Sequence, residues 1–62
     1  MTPEDIRIAR GVLGLSQVGL ARALGVDVST VAHWEQGVNA PPAYLRLALE
    51  AVQQQAEDAD AG

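Results

Sequence analysis

Val28, Ser29, Ala32, His33 and Gln36 recur at intervals of one and three residues, which on a helix gathers them along one face. Such a face offers an imidazole, a hydroxyl, a primary amide and small apolar surface. That set suits recognition by hydrogen bonds and methyl contacts better than catalysis. His33 is the single histidine, and no paired acid and base accompanies it in a domain too small for a pocket. Cysteine is absent, which removes disulfides and thiolate metal sites and makes a reducing compartment the simplest setting. One histidine without cysteine also argues against structural zinc. No cofactor and no small-molecule ligand are expected.

The elements that must hold this face are readable from caps and breakers. Ser16 opens one short helix, in which Leu20, Ala21 and Leu24 point inward, and Gly25 closes it. Asp27 or Ser29 caps the next helix, whose inward positions are Val31 and Trp34, and Gly37 stops it. Two short helices meeting across a glycine turn can place the second in the major groove of DNA. Ala21 is small where they cross, and Gly25 tolerates the positive φ of a sharp turn.

Around this pair the chain supplies supports. Thr2 and Pro3 start a first helix that runs to about Leu13, with acidic Glu4 and Asp5 on its positive end. Ile6, Ala9 and Leu13 form its apolar stripe, Ile8 and Val12 lie beside them, and Gly14 is the C-cap. A last helix is expected from near Pro42 to about Ala56, with Leu45, Ala48, Leu49 and Val52 inward. Strand-like alternation and repeats are absent, so the chain reads as all-α. Residues 1–56 form one domain, and 57–62 read as a flexible acidic tail.

With 62 residues, the chain lies near the lower limit for independent folding. Its net charge of −4 is unevenly placed. Arg7, Arg10, Arg22 and Arg46 balance Glu4, Asp5, Asp27 and Glu35, and the deficit comes from Glu50, Glu57, Asp58 and Asp60. The body is neutral and the end is acidic. The acidic start does not resemble a signal peptide and no apolar run reaches membrane length, so a cytoplasmic protein is expected, without a membrane partner.

Arg10, Leu13-Gly14-Leu15-Ser16-Gln17, Leu20-Ala21, Leu24-Gly25-Val26, Ser29-Thr30-Val31 and Trp34-Glu35-Gln36-Gly37 together resemble the phage-repressor (Cro/C1, XRE-type) helix-turn-helix family. The resemblance covers roughly residues 6–40 without gaps. It implies a compact, lambda-repressor-like domain of four or five helices that docks its third helix in the major groove. Carried over by position, Val28, Ser29, Ala32 and His33 would face base edges. Gln17, Thr30, Gln36 and Asn39 would contact phosphate or sugar. Arg10 and Glu35 would meet as a partly buried ion pair, with a shared phosphate contact as the other reading of Arg10. Three departures weaken affinity more than fold: Gly19 replaces a usual glutamate, Val28 replaces a usual long polar reader, and lysine is absent.

Several residues carry two readings. Asp27 is an N-cap or accepts from a cytosine amine. His33 reads DNA or is only exposed, and Trp34 packs in the core or stacks on a base. Arg22 offsets a helix dipole or is solvated, and Arg7 and Arg46 reach DNA flanks or lie in solvent. Tyr44, Leu47 and Ala51 line a dimer seam or complete the core. The expected function is a sequence-specific, double-stranded DNA-binding transcriptional regulator. A homodimeric repressor or autorepressor at a palindromic operator is its expected form, in a phage, toxin–antitoxin or anti-CRISPR-associated setting. The alternative is a protein-interaction module that kept the fold and lost DNA binding.

Overall fold

The computed structural model describes the backbone of residues 1–61 and the side chains of residues 1–55. Four helices follow one another: α1 (Pro3–Leu13), α2 (Gln17–Leu24), α3 (Val28–Gln36) and α4 (Leu45–Ala61). The described residues contain no strand. Both bounds of α4 differ from the sequence expectation: it starts at Leu45, after Pro42, and continues past Ala56. The reason for the late start is local. Leu45 N–H donates to the Pro42 carbonyl at 3.0 Å, a turn rather than a helical rung, and the ladder opens with Ala48 N–H on Tyr44 O. Apart from the course of its helix, the proposed acidic tail at 57–62 lies outside the residues whose side chains are described.

Helix α1 begins as a reciprocal capping box. The Thr2 hydroxyl accepts from Asp5 N–H at 3.1 Å, and the Asp5 carboxylate accepts from Thr2 N–H at 3.0 Å. Two otherwise orphaned donors are satisfied at once. That backbone hydrogen bond, with the hydroxyl contact, holds the Asp5 carboxyl below its ordinary pKa. At the other end, Gly14 adopts φ 69°, and its N–H reaches the carbonyls of Arg10 and Gly11.

The core is a single cluster of Ile6, Leu20, Ala21, Val31, Trp34, Leu45 and Leu49, drawn from all four helices. Ala9, Leu13, Leu15, Leu24 and Val26 pack against its edge. Burying each large side chain contributes roughly 1.5–3 kcal/mol relative to exposure, so few residues carry this small fold. Trp34 is buried here, which makes it a core residue. Ile8 and Val12, beside the α1 stripe in sequence, are exposed. Tyr44, Leu47 and Ala51 are also exposed, so they do not complete the core.

Candidate nucleic-acid interface

Helix α3 is held firmly on one side and left free on the other. Val31, Trp34 and Glu35 are buried, whereas Val28, Ser29, His33 and Gln36 are exposed and Ala32 is half-buried. At about 100° per residue, Val28, Ser29, Ala32, His33 and Gln36 share an arc of about 140°. Thr30 falls outside this arc and is half-buried. Asn39 is exposed in the loop after α3, where its N–H donates to the His33 carbonyl at 3.5 Å.

The turn before α3 is made by Gly25 at φ 74°. A Cβ there would meet nothing within 4 Å, so the backbone angle alone calls for glycine. Val26 N–H then closes onto the Ala21 carbonyl at 3.0 Å. Asp27 occupies the N-cap position through its backbone: its carbonyl accepts from Thr30 N–H, but its side chain caps nothing. The carboxylate instead accepts from the Ser29 hydroxyl at 2.7 Å. Ser29 lies inside the helix and is not its cap. Its hydroxyl proton is committed to Asp27, so both side chains present acceptors to whatever approaches.

Behind α3 lies a polar hub around Glu35, the one buried charged residue among those described. Arg10 grips it in a fork: Nε donates to Oε2 at 2.8 Å and Nη2 to Oε1 at 3.0 Å. The remaining guanidinium nitrogen, Nη1, donates to the Leu15 carbonyl at 3.2 Å, just before α2. Gln17 Nε2 donates to Glu35 Oε1 at 3.4 Å, and Arg7 Nη1 donates to the Glu35 carbonyl at 3.3 Å. One carboxylate thereby ties α1, the start of α2 and α3 together. Arg10 is the main cause that keeps the Glu35 carboxyl below its ordinary pKa; burial opposes the shift and Gln17 adds to it. Glu35 in turn holds the Arg10 proton more tightly.

Sequence reasoning did not find three members of this hub: Arg7, the Leu15 carbonyl, and Gln17 as a partner of Glu35. Only the placement of Arg7 and Arg10 one turn apart on α1 hinted at a shared target. Gln17 sits at the first turn of α2 as expected, half-buried, with one amide hydrogen engaged. Ser16 caps that helix by accepting from Gly19 N–H at 3.0 Å. Arg7 pairs with Glu4 at 2.8 Å and Arg46 approaches Glu50 at 3.9 Å. Arg22 has no ion-pair partner among the described residues.

Two short helices joined through the Gly25 turn, the second buried on one side and exposed on the other, form a helix-turn-helix pair. The helix-turn-helix family profile matches residues 6–52, most of the chain. The chain belongs to this family, in its XRE, Cro and C1 branch, a class of DNA-binding transcription regulators. No curated protein and no solved structure gives a match. Among the described residues, no helix is long and apolar enough to cross a membrane.

Proposed function

We propose that this protein is a homodimeric repressor that reads a short inverted-repeat operator through the outer face of α3. The observation that carries the reading is the contrast across α3, a braced inner side behind an exposed outer face of small side chains. Val28 and Ala32 offer methyl surface to thymine C5-methyl groups. His33 donates to guanine N7 or O6. Ser29 and Asp27, both acceptors, suit the amino groups of adenine or cytosine. The free hydrogen of the Gln17 amide and the N–H groups opening α2 point the phosphate contact to that helix end. Thr30, Gln36 and Asn39 are proposed as further backbone contacts.

Tyr44, just before α4, and Leu47 on it are about two-thirds exposed, and with Ala51 they are spaced by three and four residues, as on one helix face. Pairing these stripes would bury them, and a dimer that reads half-sites one turn of DNA apart requires its two α3 helices to lie about 34 Å apart. Dimerisation also compensates for the sparse cations of each body through effective concentration. The test is a mobility-shift titration with the DNA upstream of the protein's own gene, followed by selection of duplexes from a random pool. A shifted, salt-sensitive complex and an enriched inverted repeat are expected. No enrichment of any duplex sequence at low salt would overturn the proposal.

A further inference from the structure

Ser29 is exposed on the outer arc of α3, and what its hydroxyl can offer a base depends on where its one proton points. A serine hydroxyl carries one donor and two acceptor lone pairs, so a free rotor serves any base. Here the rotor is held. Ser29 Oγ donates to Asp27 Oδ2 at 2.7 Å, a length within the range of charge-assisted bonds. Among the described residues, Asp27 joins no ion pair, and its side chain caps nothing, so the carboxylate is left to this one task.

The two residues have different places. Asp27 precedes the helix at its N-cap, outside the arc that Ser29 shares with Val28, Ala32, His33 and Gln36. Ser29 is thus the member on the reading face, and the carboxylate acts on its proton. Val28, between them in sequence, has no polar side-chain group that could restore a donor. As a duplex docks, water leaves and the bond to the anion strengthens, so the proton stays with Asp27.

In the major groove adenine and cytosine present an exocyclic amine, whereas guanine and thymine present a keto oxygen. A hydroxyl reduced to its lone pairs accepts from the amine. Against guanine O6 or N7, or thymine O4, acceptor meets acceptor, and both are left without a partner at a dry contact.

We infer that Asp27 is a specificity-determining positioning residue: by holding the Ser29 proton it makes Ser29 an acceptor only, so the contacted strand must carry adenine or cytosine at that position. This role rests on the reading of α3 as the DNA-contacting helix, and adds what sets the base class at one position. The Asp27 carboxylate also repels phosphate, an effect that lowers affinity for every duplex alike.

The test uses the full chain and the duplex enriched from a random pool, remade with each of the four base pairs at every half-site position. The readout is the ratio of affinities between amino and keto bases, in which the uniform phosphate repulsion cancels. The parent should favour adenine or cytosine about tenfold at one position. Asp27→Ala releases the rotor and should abolish that preference alone, leaving the other positions and the melting curve unchanged. Ser29→Ala should abolish it at the same position, and the double variant should match Ser29→Ala. The role is overturned if either single variant keeps the amino preference, or if the double variant differs from Ser29→Ala. Loss of preference at every position in Asp27→Ala would mark a structural residue and overturn it too. If no duplex is enriched by the parent, the reading of α3 itself fails and this role falls with it.

Discussion

The inner and outer sides of α3 follow opposite designs within nine residues. On the inner side the buried charge is fully partnered: Glu35 is gripped by Arg10 and Gln17, and no described fully buried side-chain polar atom is left without a hydrogen bond. On the outer side Val28, Ala32, Ser29 and His33 are small or unpartnered, apart from the Ser29–Asp27 contact. The difference teaches how a lysine-free domain can recognise a duplex. Under the proposed reading, a fixed angle of α3 substitutes for strong attraction, because small side chains read shape only if the helix cannot shift, and the hub around Glu35 is what would fix it.

The contrast between the two sides is broken most severely at Arg10. Arg10→Met leaves the Glu35 carboxylate buried without its fork and should destabilise the fold by about 3 kcal/mol, measured by urea unfolding. The double variant Arg10→Met, Glu35→Leu should regain most of that loss, because no buried charge is then left over. Its DNA affinity should be low, since the ion-pair tie from α1 to α3 is gone and only the Arg7 bond to the main-chain carbonyl of residue 35 remains. If the double variant binds as tightly as the parent, rigidity behind α3 is not what recognition needs.

Acid provides the next test of the inner side. The Glu35 carboxyl titrates below its ordinary 4.5 in the folded protein, held down chiefly by Arg10. A lowered native pKa gives stability that is fully present above the unfolded value and lost as pH falls through the native one. Thermal melts should therefore be flat near neutrality and decline below about pH 4.5. In the Arg10→Met, Glu35→Leu variant this decline should be shallower. Asp5, lowered by its Thr2 contacts, acts in the same direction at the surface and remains in both proteins.

The outer side should respond in the opposite manner. His33→Ala should leave stability unchanged and cost about 1–3 kcal/mol of operator binding, with relaxed preference at one base position. The smallest effect is a gain. Gly11 lies inside α1, where an added Cβ would meet nothing within 4 Å, so Gly11→Ala should stabilise by roughly 0.5–1 kcal/mol. Gly14→Ala, at φ 69°, should destabilise instead. The pair separates helix propensity from backbone requirement within one element.

Most of the framework was legible because capping is local. Thr2-Pro3, Gly14, Ser16, Gly25 and Gly37 mark the helix ends through hydrogen bonds spanning a few residues. The start of α4 was not, because Pro42 suits a first helical turn yet Leu45 is drawn into the core and the intervening residues form a turn. The hub was legible only in part. The resemblance pointed to Arg10 and Glu35, but the Gln17 contact spans 18 residues and the Arg7 contact 28. Such contacts depend on how helices cross, which no local pattern encodes. Asp27 illustrates the converse: its position at the N-cap was readable, but a neighbouring hydroxyl took its carboxylate.

The most direct test is to titrate isotope-labelled protein with a duplex selected from the random pool and follow every backbone amide. Saturable shifts should concentrate on Val28–Gln36 and the first turn of α2, with α1 unaffected. Shifts centred on α1 or α4, or none on α3 at saturating duplex, would contradict recognition through a braced α3.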